Sequence, residues 1–468
     1  MTETVAVCGA GLVGTLCALG LAHRGYKVSL FDYRDDPRNV TIDKQNLRSI
    51  NLAVSDRGIR AMNLIDPEMT ERVLKDIIPM HGRMIHDLEG KQISQIYGLF
   101  GESINSIDRS FLNISLLNEI ELYNEKNLTE NDKIEFKFNN KIIGFTENRK
   151  TNKIELNYLN TKNNIENLKS FDFIIGADGA FSTIRYGLQK SIRLDIQQKY
   201  VNKCYIELYI PSGENGTFKI DPNHLHIWPR DDFMLIALPN QDGSFTSTFF
   251  SSWEFIENLL KEEKTDNNSL SVDDKIIKLF EENFRDAIDL ITMDKILYSF
   301  KNHPKGALCQ TECYPYNLSD KCLIIGDAAH SMVPFYGQGM NCGFEDVRVL
   351  LELLDKNGKD RLNTFNQYSL NRHEDLKAIL KLAIDNYHEM SHKVNSSLFL
   401  FRKKLDGLLG KLIPNYWIPL YSMVSFRGDI SYSDAIKRSN KQDKILKSVE
   451  FSLITLSIIG IVKYFNRK

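Results

Sequence analysis

Apolar and polar positions along this chain fall into three kinds of pattern, and each predicts a different element. Val5-Ala6-Val7-Cys8 is a continuous apolar run, too short for a helix and closed by glycine, which predicts a strand buried on both faces. It runs straight into Gly9-Ala10-Gly11-Leu12-Val13-Gly14 and an apolar helix over 15–23, and a second strand, Lys27–Phe31, ends at Asp32. From 79 to 97 the spacing of Met80, Met84, Ile85, Ile93 and Ile96 around Glu89-Gly90 predicts two short strands. Arg109 precedes a helix reaching about Asn124.

The same reading continues to the C-terminus. Alternation over 134–138 and 154–158 predicts a long hairpin with a solvated, asparagine- and lysine-rich tip. Phe171–Gly176 is a buried strand ending at Asp178-Gly179, followed by a helix that starts at Ser182-Thr183. Over 204–250, antiparallel strands with short turns and no intervening helices predict a separate sheet, one face of which roofs a pocket. His224, His226, Trp228, Phe233 and Met234 are either pocket lining or core. A charged helical section over 252–290 leads to Leu323-Ile324-Ile325-Gly326-Asp327, a glycine-rich loop through Gly337 and Gly339, and helices from Gly343 to about Leu409. The last feature is an uncharged run, Phe451–Val462, bracketed by Lys447, Glu450, Lys463, Arg467 and Lys468. At roughly twelve residues, against about twenty for a full span, it either docks as an amphipathic or core helix or inserts as a tail anchor.

Three of these stretches carry chemistry. Gly9 turns the chain, Gly11 lets bare backbone approach a pyrophosphate at a helix N-terminus, and Gly14 permits close helix–strand packing. Asp32 lies about twenty residues on, where a carboxylate meets a ribose diol. Asp327 at a strand tip suits a sugar or ribityl hydroxyl, and the N–H groups around Gly339, Met340 and Asn341 suit an electron-rich ring edge or an anion. Asp178 either caps its own turn or faces the same ligand. Arg83 sits inside an alternating strand pattern and is either an edge charge, the commoner outcome, or a buried anion ligand. Arg34, Arg48 and Arg57 face either phosphates or solvent, and solvation is the usual fate of any one of them.

Composition narrows the picture. With 468 residues the chain exceeds one core, and its net charge of −2 gives no electrostatic footing for nucleic acid. Seven scattered cysteines imply no disulfide framework, and Cys309 with Cys313 lacks the further ligands of a zinc site, so no metal is expected. Asn371-Arg372-His373-Glu374-Asp375 lacks the second histidine of a zinc helix. Asn386-Tyr387-His388-Glu389-Met390 is a mid-helix polar cluster that requires solvent or a ligand.

The order of the three stretches resembles the class A flavoprotein aromatic hydroxylases. That resemblance implies an α/β fold in which a Rossmann-like FAD-binding domain is interrupted by an antiparallel-sheet substrate domain and followed by a C-terminal helical region. The implied boundaries are FAD-binding parts at 1–75, 101–195 and 301–360, a substrate-domain hairpin at 76–100, the substrate sheet and helices at 196–300, C-terminal helices at 361–445 and a membrane-anchor tail at 446–468. Arg48–Ala53, Ile78-Pro79-Met80, Arg83–His86, Ile236–Asn240, Pro334–Asn341, Arg372–Leu376 and Pro419–Val424 are similar to the kynurenine 3-monooxygenase family in particular. Asp32 stands where a glutamate is usual there, and Ala10 where a third consecutive glycine is common.

Carried onto this chain, the resemblance implies that Arg83 and Tyr97 hold a substrate carboxylate, with Asn386 and Tyr421 completing the amino-acid end. It places tightly bound, non-covalent FAD against Gly9, Gly11, Val13, Gly14, Phe31, Asp32, Tyr33, Arg34, Ala53, Arg109, Asp178, Thr183, Asp327, Met340 and Asn341. NADPH is implied as a transient co-substrate and O2 as the oxidant. The implied reaction, in tryptophan degradation and NAD/quinolinate biosynthesis, converts L-kynurenine to 3-hydroxy-L-kynurenine through a flavin C4a-hydroperoxide, with no catalytic side chain. It also implies attachment to the mitochondrial outer membrane by the tail, the catalytic part facing the cytosol. A flavin halogenase would carry Trp-x-Trp-x-Ile-Pro, and this chain has only Trp417-Ile418-Pro419. A phenol hydroxylase of the class would not need all four clamp residues, and a non-enzymatic carrier on this fold would neither be yellow nor consume NADPH.

Overall fold

The computed structural model describes residues 2–40, 51–127, 129, 132–262, 270–391 and 397–465, so Arg48, Ser49 and Ile50 lie outside the described residues. A six-stranded sheet carries the nucleotide-type turns. Its order is Asn317–Leu318, Cys322–Ile324, Phe173–Gly176, Thr4–Cys8, Lys27–Phe31, Glu135–Lys137. The inner pairs are parallel, with Cys8 level with Phe31 on one side and Gly176 on the other, and Gly176 level with Ile324. Three turns separated by well over a hundred residues in sequence therefore leave the sheet at one edge, the carboxyl end where ligands of open α/β sheets bind. Apolar runs without alternation supply these strands because both faces are covered, one by the helix Leu12–Ala22 and the other by a three-stranded sheet whose Tyr158 and Phe171 pack on Phe31; Val5, Ala6, Val7 and Cys8 are all fully buried.

A seven-stranded sheet stands over that edge. Its order is Gly306–Tyr314, Asp195–Ile210, Phe245–Ser251, Phe233–Pro239, His224–Arg230, Gly82–His86, Gln92–Ile96. The hairpin at 82–96 thus joins the sheet at one side, through a parallel pairing of His224–Ile227 with Gly82–Ile85. Period-two alternation divides the residues between two cores. Leu225, Ile236, Leu238 and Phe250 face the nucleotide side, whereas Trp228, Leu235, Ala237 and Phe249 pack under the helices Trp253–Leu260, Val272–Asn283, Arg285–Ile291 and Met293–Asn302.

The hairpin expected over 134–158 is different. Glu135–Lys137 joins the six-stranded sheet beside Lys27–Phe31, and the three strands Asn140–Asn148, Lys153–Asn160 and Ile165–Phe171 form their own antiparallel sheet. The third strand is mostly exposed, so it has no apolar alternation by which to be read. At the C-terminus, the helix Tyr432–Phe465 runs 34 residues without a break between helical region and tail. Among the described residues no helix is long and apolar enough to cross a membrane.

Candidate active site

Each of the three turns gives the site a distinct surface. Gly9 has φ +108°, and a Cβ there would lie 2.4 Å from the carbonyl of Ala177. A Cβ on Gly14 would fall 1.8 Å from the Gly9 carbonyl, whereas one on Gly11 would meet nothing within 4 Å. Gly9 and Gly14 thus close the strand–helix corner, and Gly11 leaves bare backbone open to the cavity. The helix Leu12–Ala22 starts at Gly11 with no side-chain cap, so its first N–H groups point at whatever binds there.

Asp32 is buried and already engaged: it accepts from Ala10 N at 2.9 Å and pairs with the Arg34 guanidinium at 2.8 Å. Arg34 is half-exposed and closes over that carboxylate through both Nε and Nη2. Asp178 both caps and lines. Its carboxylate accepts from Ile184 N at 3.1 Å and from Ser182, while burial pushes its pKa up against those hydrogen bonds. At the third turn, Gly326 at φ +60° starts the short helix Asp327–His330, and its N–H donates to Asp346 at 2.9 Å. The turns open onto one cavity of about 780 Å³.

The far end of this cavity is a cationic clamp. Arg83 is 4 % exposed, so it is a buried group and not the edge charge that strand position alone favoured. Nη1 reaches Glu389 at 3.2 Å, Nη2 reaches Asn386 Oδ1 at 3.4 Å, and Nε has no hydrogen-bond partner among the described residues. Tyr97 and Tyr421 stack on each other with ring centroids 4.9 Å apart and present their rings to the guanidinium at 5.6 and 5.3 Å. Burial works against the Arg83 charge, but Tyr97, Glu389 and Tyr421 hold its pKa above the ordinary value. Burial in turn raises both tyrosines, so their hydroxyls are donors at neutral pH. Asn386 Nδ2 donates to Phe335 O at 2.6 Å, which ties the clamp helix to the glycine loop.

Of the sequence-predicted residues, Arg83, Tyr97, Asn386 and Tyr421 line the cavity, as do Gly9, Gly11, Val13, Phe31, Asp32, Tyr33, Arg34, Ala53, Arg109, Asp178, Thr183, Asp327 and Met340. Gly14 and Asn341 stand behind the wall. Asn341 is a brace: Nδ2 donates to Ala53 O at 2.7 Å and Gly337 O at 2.9 Å, and Oδ1 accepts from Ser55 N at 2.8 Å, so its polar atoms are spent on backbone. Glu389 was visible in sequence only as part of a mid-helix polar cluster.

Behind the turns runs a buried ionic ladder that sequence reasoning missed. Arg372 donates to Asp346 at 2.9 Å and to Glu345 at 2.9 Å, and Arg57 reaches Glu345 at 2.8 Å. Arg57, expected in solvent, is 0 % exposed, lies 3.8 Å over the Tyr432 ring and donates to Val424 O at 2.9 Å. His330 bonds Asp346, whose pKa is lowered to about 2: burial opposes this, and His330 and Arg372 outweigh it. His330, Cys342 and Asp346 have metal-ligand spacing, but Arg372 Nη2 lies 3.4 Å from Cys342 Sγ and supplies the cation.

The FAD binding domain family matches residues 269–383. Full-length similarity goes much further. A kynurenine 3-monooxygenase of Candida albicans is 51 % identical over 473 residues, covering 100 % of this chain and 98 % of that protein. Its counterpart in Debaryomyces hansenii is 54 % identical over 97 % of this chain and 94 % of its own length. The chain belongs to the kynurenine 3-monooxygenase family. Its fold is that of the class A FAD-dependent monooxygenases: 2-methyl-3-hydroxypyridine-5-carboxylic acid oxygenase superposes with a TM-score of 0.62 at 15 % identity over 85 % of this chain and 94 % of that one. CtdE in complex with FAD superposes at 0.61 and 14 % identity over 88 % and 100 %. The cradle here has the features FAD demands, an uncapped helix start beside an open Gly11 and carboxylates at the two strand tips Asp32 and Asp327.

Proposed function

We propose that this member of the kynurenine 3-monooxygenase family hydroxylates L-kynurenine to 3-hydroxy-L-kynurenine, consuming NADPH and O2. The observation that carries the reading is the buried Arg83, whose Nε has no partner among the described residues, opening into the same cavity as the nucleotide turns. Bound FAD supplies the redox and oxygen chemistry, and no protein nucleophile or metal is needed. The side chains bind and orient. Gly11 and the start of Leu12–Ala22 receive the pyrophosphate, Asp32 a ribose, and Asp327 the ribityl chain. Arg83 takes the substrate carboxylate with the Tyr97 hydroxyl, and Asn386 and Tyr421 fix the amino-acid end. Leu225, Ile236, Leu238 and Phe250 form an apolar roof over the aromatic ring and keep water from the reacting carbon. Incubation with NADPH, L-kynurenine and isotopically labelled O2 tests this: one labelled oxygen in a ring-hydroxylated product is expected, and peroxide without such a product overturns it.

The reading extends to location. The uncharged run at 451–462, with basic residues on both sides, supports attachment to the mitochondrial outer membrane with the catalytic part facing the cytosol. A chain ending at residue 445 is expected in the soluble fraction of disrupted cells, and its recovery with mitochondria would refute attachment by the tail.

A further inference from the structure

The helix Ser397–Leu412 lies against the loop that follows the clamp strand Gln92–Ile96. Gly407 and Gly410 are the approach points: a Cβ on Gly410 would lie 2.4 Å from Leu99 Cδ1, and one on Gly407 would lie 3.6 Å from Leu99 Cδ2. Lys403 precedes these glycines by four and seven residues and so shares their face. Its Nζ donates to Gln95 Oε1 at 3.1 Å. Gln95 is directly opposite Arg83 in the antiparallel pair, and side chains directly opposite point to the same side of a sheet. The ammonium of Lys403 is therefore brought to the Arg83 side of the strand pair, behind the cavity wall that Arg83 lines.

Arg83 lines this end of the cavity, Lys403 stands near it behind the wall, and the carboxylate that acts on both, Glu389, is already paired with Arg83. The local excess is positive. A half-buried ammonium whose hydrogen bond goes to a neutral amide is incompletely compensated, and an arriving anion relieves that cost. Resting on the kynurenine reading above, we propose that Lys403 is a positioning and specificity residue for the substrate carboxylate, acting with Arg83 through Gln95 to favour amino-acid over decarboxylated ligands. The electrostatics agree: burial first, then Arg83, lowers the Lys403 pKa to about 8, while Glu389 opposes the shift, so the ammonium is still charged at pH 7.

Calorimetric titration of the FAD-loaded protein with L-kynurenine and with its decarboxylated amine tests this. Lys403→Gln is expected to weaken L-kynurenine by about tenfold, the loss of one positive charge behind the carboxylate site, and to leave the amine within about twofold. Lys403→Arg restores the acid affinity, and Gln95→Leu, which removes only the acceptor that aims the ammonium, weakens the acid alone. Unchanged acid affinity in both Lys403→Gln and Gln95→Leu overturns the proposal, as does an equal loss for both ligands, which marks a packing effect. Wild-type protein that binds neither ligand overturns the kynurenine reading and this proposal together, whereas wild-type binding with indifferent variants overturns the role of Lys403 alone.

Discussion

Replacing Arg83 by methionine keeps the apolar stem and removes the guanidinium. Its present bonds, 3.2 Å to Glu389 and 3.4 Å to Asn386, are long for charge-assisted contacts, which fall near 2.7–2.9 Å, and Nε makes no hydrogen bond among the described residues. The group is therefore poised to take a carboxylate and gives up little when it does. Two charge-assisted hydrogen bonds at about 1.5–3 kcal/mol each, less the exchanged Glu389 contact, leave about 3 kcal/mol, or roughly a hundredfold in Kd. Glu389, at 32 % side-chain exposure, is solvated when its partner goes, so the fold is retained. The assay is titration of the flavin absorbance with L-kynurenine, the ratio of flavin to protein absorbance reporting retained FAD. A bound flavin with affinity lowered on that scale is expected. Flavin loss, or affinity within about twofold of wild type, refutes the carboxylate assignment.

Other substitutions probe the parts that support this clamp. Gly14→Ala places a methyl on the Gly9 carbonyl at 1.8 Å, so the corner opens and the protein should purify with little flavin, read from its visible spectrum. Arg372→Met leaves Glu345 and Asp346 buried with reduced compensation and should cost about 3–5 kcal/mol in denaturant unfolding. His226 is fully buried, and burial lowers its pKa to about 4, so below the unfolded value near 6.5 the unfolded chain takes up a proton that the folded chain refuses. Stability should therefore fall by about 2 kcal/mol between pH 7 and pH 5, and His226→Gln should flatten that slope in urea titrations.

Much of this architecture was legible because it is local. Gly9, Gly11 and Gly14 between an apolar strand and an apolar helix state their geometry in sequence, and so does Ser182 as the cap of Thr183–Ser191. Period-two alternation also announced the sheet, but not which of its faces met the ligand: the flagged His226 and Trp228 turned to the second core, and Leu225, just before them, took the cavity side. What sequence could not show is contact between distant segments. Nothing around Arg57 reports that Glu345 lies 2.8 Å away, and Asn341 looks like a loop amide until Ala53 and Ser55 are brought against it. Lys403 is one basic residue among several on its helix, and only strand register puts it beside Arg83. The exposed strand Ile165–Phe171 stayed hidden because solvent imposes no pattern on it.

The central claim is that one cavity couples a flavin cradle to an amino-acid clamp. Its most direct test is NADPH oxidation by the purified, FAD-loaded chain with and without L-kynurenine, with product and peroxide quantified together. Slow oxidation alone, marked stimulation by L-kynurenine and hydroxylated product matching the NADPH consumed are the predicted results. Oxidation that ignores L-kynurenine, or stimulation that yields only peroxide, would contradict the account.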